Sequence, residues 1–196
     1  MNNASEKFYD RVTPLYPFID LFLKPQKRKF FNIINGYPHG RLLEIGVGNG
    51  SHLKYYSNHD ITGIDTSERM LVKAGKRQKK IQLLQMNGET LQFPSETFDY
   101  VILSHVIAVV EDRKKILKEV YRVLKPNGKV FILNHFTPDN WLRYLDICFE
   151  KICRLLHFKS VFHIAGVQNT KEFTPLFEIN AGLFSYFKIL IYEKKV

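Results

Sequence analysis

The chain has 196 residues and a mass of 23.1 kDa, enough for one domain with a full core and little for two. Hydrophobic residues make up 45% and charged residues 24%, which excludes a globally disordered chain. The net charge of +10 asks for an anionic partner (nucleic acid, an acidic membrane surface or an anionic substrate), and the two cysteines, Cys148 and Cys153, exclude a disulfide scaffold or a Cys-rich zinc site.

In chain order, residues 5–35 are rich in aromatic and apolar side chains, among them Tyr9, Tyr16, Phe18, Ile19 and Phe22, with a basic cluster at Lys24, Lys27, Arg28 and Lys29. Arg41–Ile45 reads as a strand, followed by glycines and a helical stretch from Ser51. Ile61–Asp65 reads as a second strand, and Ser67 as the N-cap of a helix carrying Met70, Leu71 and Ala74. Ile81–Met86 and the very apolar Phe98–Ser104 are the third and fourth strands. Asp112 starts a helix with Ile116, Val120 and Val123 on one face, which Pro126-Asn127-Gly128 is expected to end. Lys129–Asn134 is the fifth strand. Trp141, Leu145, Cys148, Ile152 and Leu155 repeat at helical spacing and define an amphipathic helix over 139–157, flanked by Arg143, Lys151 and Arg154. Phe184–Tyr192 reads as a strand paired with the segment before Asn180-Ala181-Gly182. Alternating β and α units with nearly continuous apolar strands predict a parallel sheet covered on both faces. The opening Met1–Glu6 lacks the basic start and apolar core of a secretory signal. Together with the cysteine usage, this sets a cytoplasmic expectation.

The segment Leu43-Glu44-Ile45-Gly46-Val47-Gly48-Asn49-Gly50 carries the chemistry. A strand ends in an acid, and glycine then recurs at every second position. Gly46 and Gly48 allow close backbone approach to a ligand at the carboxyl ends of the strands. A dinucleotide fingerprint would place its third glycine one residue later. The acid before the first glycine suits a ligand with an ammonium group better than a diphosphate. Asp65, 21 positions after Glu44 at the end of the second strand, is placed to accept both hydroxyls of a ribose.

These residues resemble the class I S-adenosylmethionine-dependent methyltransferases. Further matches are Asp65-Thr66-Ser67-Glu68-Arg69-Met70-Leu71, Phe98-Asp99-Tyr100-Val101 and Leu124-Lys125-Pro126-Asn127-Gly128-Lys129. The resemblance covers roughly residues 40–135. It implies a single α/β domain over 1–196, Rossmann-like and doubly wound, with a mostly parallel seven-stranded sheet and an antiparallel last strand. It implies S-adenosyl-L-methionine as cofactor and no metal. Gly46, Gly48 and Gly50 would shape the cofactor loop, Glu44 would face the methionyl amine, and Asp65 would hold the ribose. Thr66 and Met70 would lie near the adenine. Asn87-Gly88-Glu89 stands where the family often has an Asp for the adenine amine. Ser104 and His105 end the fourth strand, where cofactor and acceptor meet.

The flanks of these motifs point to the acceptor. The fourth strand runs into Ser104-His105-Val106-Ile107, without the Asn/Asp-Pro-Pro-aromatic tetrad of nucleic-acid base methyltransferases, which argues against a nucleic-acid partner despite the charge. The runs Ser104–Asp112 and Val130–Phe136 resemble the bacterial phosphatidylethanolamine N-methyltransferases. That resemblance implies a phospholipid amine as acceptor and an anionic membrane surface as partner. His105 or His135 would be the proton acceptor, and Tyr9 and Tyr16 the aromatic faces for the methylated ammonium. Acceptor recognition would then fall to an aromatic lid over 1–38 and to the helix at 139–157. A soluble amine or quinone precursor, or a non-catalytic cofactor-binding module, are the competing readings.

Overall fold

The computed structural model describes residues 16–107, 110, 112–135, 172–181 and 187–195, with backbone alone at 16–24 and 135. The amphipathic segment at 139–157 and the aromatic residues before Tyr16 lie outside the described residues. Helix α1 spans Tyr16–Asn35 and leads into strand β1, Arg41–Ile45. A single 3-10 turn, Leu53–Tyr55, separates β1 from β2, Asp60–Asp65. Helix α2, Glu68–Arg77, leads to β3, Gln82–Gln85. Strand β4, Phe98–Ser104, is followed by α3, Arg113–Val123, and β5, Leu124–His135. Strands β6, Phe173–Asn180, and β7, Phe187–Lys194, close the sheet.

The sheet has seven strands in the order β3-β2-β1-β4-β5-β7-β6. The first five pair in parallel, whereas β7 runs antiparallel to both β5 and β6. The seven-stranded, mostly parallel sheet with an antiparallel last strand is thus as the sequence predicts. Winding reverses between β1 and β4, and a ligand crevice opens at such a switch point.

Alternation along each strand divides the core into two faces. Leu43, Ile45, Val101, Leu103 and Ile132 point to the face covered by Ile116, Leu117, Val120 and Val123 of α3. Their neighbours Leu42, Tyr100, Ile102, Phe131 and Leu133 point to the face covered by Phe30, Phe31 and Ile34 of α1. The second half of α1 is therefore core rather than cover.

Two expectations change. No helix follows Ser51: the chain makes only the Leu53–Tyr55 turn, because Tyr56 leaves it in extended conformation (φ −73°, ψ 137°) and directs its hydroxyl to Glu44. Nor does Pro126-Asn127-Gly128 end α3. The helix stops at Val123, and Leu124 already pairs with Phe98 as β5 begins. Pro126-Asn127-Gly128 instead forms an irregularity within β5, with Asn127 at φ 60° and pairing resumed at Tyr100–Lys129. Elsewhere the caps match the sequence. Ser67 Oγ accepts from Met70 N–H, and Asp112 Oδ1 accepts from the N–H groups of Lys114 and Lys115.

Candidate active site

Gly46, Gly48 and Gly50 all lie in the left-handed region, at φ 77°, 56° and 67°. A Cβ at Gly46 would stand 2.5 Å from Val106 Cγ2, and one at Gly50 would stand 2.8 Å from both Ala74 and Leu53. These positions need glycine for conformation and for space. The loop is fastened below by the N–H groups of Gly46 and Val47, which donate to the Ile64 carbonyl at 2.8 and 3.0 Å. Val47, Leu53 and Ala74 pack beneath it.

Asp65 binds this loop to the start of α2. Its Oδ2 accepts from Gly48 N–H at 2.8 Å and its Oδ1 from Ser67 N–H at 2.9 Å. Burial pushes its carboxyl above the usual value, against the pull of those backbone donors and with help from the Glu44 charge. The Thr66 backbone adds a third pull on the same carboxylate, whose acceptor sites still outnumber these donors and leave room for a hydroxyl ligand. Thr66 follows, its carbonyl accepting from Gln85 Nε2 at 2.9 Å, and Met70 is buried in the first turn of α2.

Glu44 is fully buried at the end of β1. Its Oε2 accepts from the Tyr56 hydroxyl at 2.9 Å, and its Oε1 lies 2.7 Å from His52 Nε2. The His52 ring stacks on Phe31 of α1, with centroids 5.1 Å apart and planes within 9°. Tyr56 meets the same phenyl ring edge-on at 4.7 Å. Burial, then the Glu44 charge, hold the Tyr56 phenol well above its ordinary value, so it remains an O–H donor.

On the far side of the crevice, Asn87 shapes a turn. Its Oδ1 accepts from Glu89 N–H at 2.9 Å and its carbonyl from Thr90 N–H at 3.1 Å. Glu89 Oε1 accepts from Asp112 N–H at 3.2 Å. Gly88 is wedged against the core, where a Cβ would stand 2.6 Å from Ile45 and 3.1 Å from Ile116.

Ser104 and His105 complete the rim at the end of β4. His105 has φ 59°, a conformation a side-chain-bearing residue adopts only under constraint. Its N–H donates to the Leu133 carbonyl at 2.7 Å, and its ring stands edge-on to Phe187 at 5.9 Å. The turn seats Val106 over Gly46.

The predicted cofactor residues Glu44, Gly46, Gly48, Gly50, Asp65, Thr66, Met70, Asn87, Gly88, Glu89, Ser104 and His105 thus lie on the loops and strand ends bordering the switch point. His135 ends β5 opposite Phe187. Tyr16 is the first residue of α1, described in backbone only, and Tyr9 lies outside the described residues. His52 and Tyr56 were not foreseen, since the expected helix hides a loop that returns to Glu44. Among the described residues, no group of three metal-binding side chains comes together.

The arrangement fits a nucleoside with an amino-acid tail: a glycine cradle that a Cβ would fill, a carboxylate at the ribose position and a buried carboxylate for an ammonium.

Comparison with known proteins bears on this site. Residues 43–132 match the family described as methyltransferase domain. The chain is 39% identical over 107 residues to a phosphatidylethanolamine N-methyltransferase of Cereibacter sphaeroides, covering 51% of this chain and 53% of that protein. It is 29% identical over 203 residues to the ubiquinone/menaquinone biosynthesis C-methyltransferase UbiE of Geotalea daltonii, covering 95% and 77%. It therefore spans about half the length of the first relative and three quarters of the second. A crystal structure from Thermotoga maritima, described as a SAM-dependent methyltransferase and possible histamine N-methyltransferase, superposes with a TM-score of 0.76 at 23% identity, covering 96% and 99%. The N-methyltransferase NodS from Bradyrhizobium japonicum superposes with a TM-score of 0.69 at 16% identity, covering 90% and 98%. These two likenesses establish the fold.

Proposed function

Residues 43–132 match the methyltransferase domain family, and from that premise we propose that the chain is a class I S-adenosylmethionine-dependent methyltransferase acting on the amine of a phospholipid head group, phosphatidylethanolamine towards phosphatidylcholine. The observation that carries this reading is the 39% identity to a phosphatidylethanolamine N-methyltransferase.

When bound, S-adenosylmethionine supplies a methyl group activated by an adjacent sulfonium. The Gly46–Gly50 loop and Asp65 hold the nucleoside end, and Glu44 faces the amino-acid end. The protein must then present a neutral amine in line and dispose of its proton. A primary ammonium with a pKa of about 10 resists neutralisation at pH 7 by about 4 kcal/mol. His105 takes that proton in this reading: it stands at the switch-point rim, its left-handed backbone turns the chain there, and Phe187 shields one side of its ring. His135, at the end of the adjacent β5, is the alternative acceptor. Tyr9 and Tyr16 would offer aromatic faces to the methylated ammonium.

The +10 charge and the basic cluster midway along α1 suit an anionic membrane surface, with the enzyme on the cytoplasmic face of the inner membrane. Among the described residues, no helix is long and apolar enough to cross a bilayer. Incubation with phosphatidylethanolamine vesicles and methyl-labelled cofactor tests the proposal, and labelled mono-, di- or trimethylated lipid is the expected product. Absence of label in the lipid fraction rejects it.

A second reading follows from the alignment with the quinone-pathway C-methyltransferase, which extends over 95% of this chain. The acceptor would then be a small quinone precursor. Running the same assay with a demethylated quinone separates the two.

A further inference from the structure

Glu44 is the only carboxylate among the buried residues described, and both its oxygens already have partners. A carboxylate taken wholly out of water persists as an anion only where donors satisfy it. Tyr56 Oη donates to Oε2 at 2.9 Å, and His52 Nε2 stands 2.7 Å from Oε1. That second approach is a close ion-pair contact without hydrogen-bond alignment, and among the described residues neither Glu44 Oε1 nor His52 Nε2 has a hydrogen-bond partner. The imidazole cannot swing away, because its ring lies flat on Phe31 while Tyr56 packs on that ring's edge. Glu44 itself sits in the middle of the sheet, in register with Gly63 on one side and Ile102 on the other. A lone buried acid there would be free to rotate. Held at Oε2 by the Tyr56 hydroxyl and flanked at Oε1 by the His52 ring, it offers its remaining lone pairs in one fixed direction.

We propose that His52 and Tyr56 are positioning residues for the amino-acid end of the cofactor, acting through Glu44, with Phe31 of α1 bracing the imidazole. The pair keeps the carboxylate aimed, so that the ammonium meets a prearranged acceptor and no side chain must reorganise on binding. Both residues act on Glu44 and not on the Gly46–Gly50 loop or Asp65. Their contribution is therefore confined to ligands that carry the amino group. This inference rests on the reading of Glu44 as the ammonium partner.

The test compares two ligands that differ in the amino-acid tail that carries that group. S-adenosylhomocysteine carries the amino-acid tail, whereas 5′-methylthioadenosine is the same nucleoside thioether without it. Affinities are measured by titration calorimetry on the full chain and on His52→Leu, His52→Gln and Tyr56→Phe, with melting temperatures recorded for each. Tyr56→Phe keeps the ring packed on Phe31 and removes only the hydroxyl, so it carries the test should His52→Leu fail to fold. The expected result is roughly tenfold weaker binding of S-adenosylhomocysteine by His52→Leu and Tyr56→Phe, with 5′-methylthioadenosine unchanged within about twofold. His52→Gln, which restores a donor, should recover most of the loss. Equal weakening for both ligands would mean the pair only supports the fold, and unchanged affinity for both would mean it does nothing for binding; either overturns the proposal. Failure of the unmodified chain to bind S-adenosylhomocysteine at all would instead overturn the cofactor reading beneath it.

Discussion

Asp65 ties the glycine loop to the start of α2. It gathers Gly48 and Ser67 through two backbone hydrogen bonds, and its carboxyl is pushed up by burial. The unfolded chain releases this proton near pH 4, while the folded chain holds it to higher pH. The stability Asp65 contributes is therefore complete below about pH 4 and declines as pH rises through the folded value. Urea denaturation of the protein and of Asp65→Asn should show the stability gap between them narrowing from pH 4 to pH 7. A gap independent of pH would contradict the burial argument. Asp65→Asn should also weaken cofactor binding at least tenfold by calorimetry, since the amide presents donors to groups that need an acceptor. Gly88→Ala belongs to the same scale. Its added methyl would sit 2.6 Å from Ile45 and 3.1 Å from Ile116, in a core with no slack. About 1–3 kcal/mol of lost stability is expected in chemical denaturation. The glycines and Asp65 were legible in the sequence because backbone geometry and burial each demand a particular residue type. His52 and Tyr56 were not, because a histidine and a tyrosine four apart fit a helix as readily as a loop, and only the fold brings Glu44 between them.

At the scale of elements, termini were harder to read than elements. β1 and β4 match their predicted bounds, and α3 begins after its Asp112 cap as expected. The misplaced end of α3 has a physical reason. Leu124 pairs with Phe98, so strand pairing takes the chain before Pro126-Asn127-Gly128 can serve as a helix stop. The α3 flank also bears an ionic clasp on the loop preceding β4. Arg122 donates to the carbonyls of Phe93 at 2.7 Å and Leu91 at 2.9 Å, and pairs with Glu119, which accepts from Leu91 N–H. These side chains retain partial contact with solvent, so Arg122→Ala should cost about 1–2 kcal/mol, read as a lower urea midpoint at unchanged slope. Hydrogen exchange should quicken at Leu91 in that variant, since its N–H loses an oriented Glu119.

For the whole molecule, the charge surplus becomes a statement about where the enzyme works. If it serves an acidic lipid surface, co-sedimentation with vesicles of phosphatidylethanolamine and phosphatidylglycerol should be strong at low ionic strength. It should be largely lost by about 0.5 M salt, where the screening length shrinks to a few ångströms. Salt-insensitive pelleting would point to apolar insertion instead. The sheet topology, the two-sided core and the left-handed glycine loop could all be anticipated, since they follow from periodicity and from residue types with few alternatives. The acceptor could not, because acceptor chemistry resides in flanking segments whose aromatic and basic residues serve packing and solubility equally well.

The strand order carries a further consequence, for the birth of the protein. β1 completes its pairing only with β4, and the Arg41 N–H to Asp99 bond that locks the edge of this contact spans 58 positions. A ribosome must therefore deliver β2, α2 and β3 before the inner edge of β1 finds its neighbour. Throughout that interval Leu42, Leu43 and Ile45 border an open ladder, the state in which a nascent chain is most prone to pair with another. The crevice proposed for the cofactor is the seam that closes when β4 arrives. Stalled chains ending before Phe98 should thus be both chaperone-dependent and unable to bind the cofactor, and the two defects should disappear together once β4 has cleared the exit tunnel.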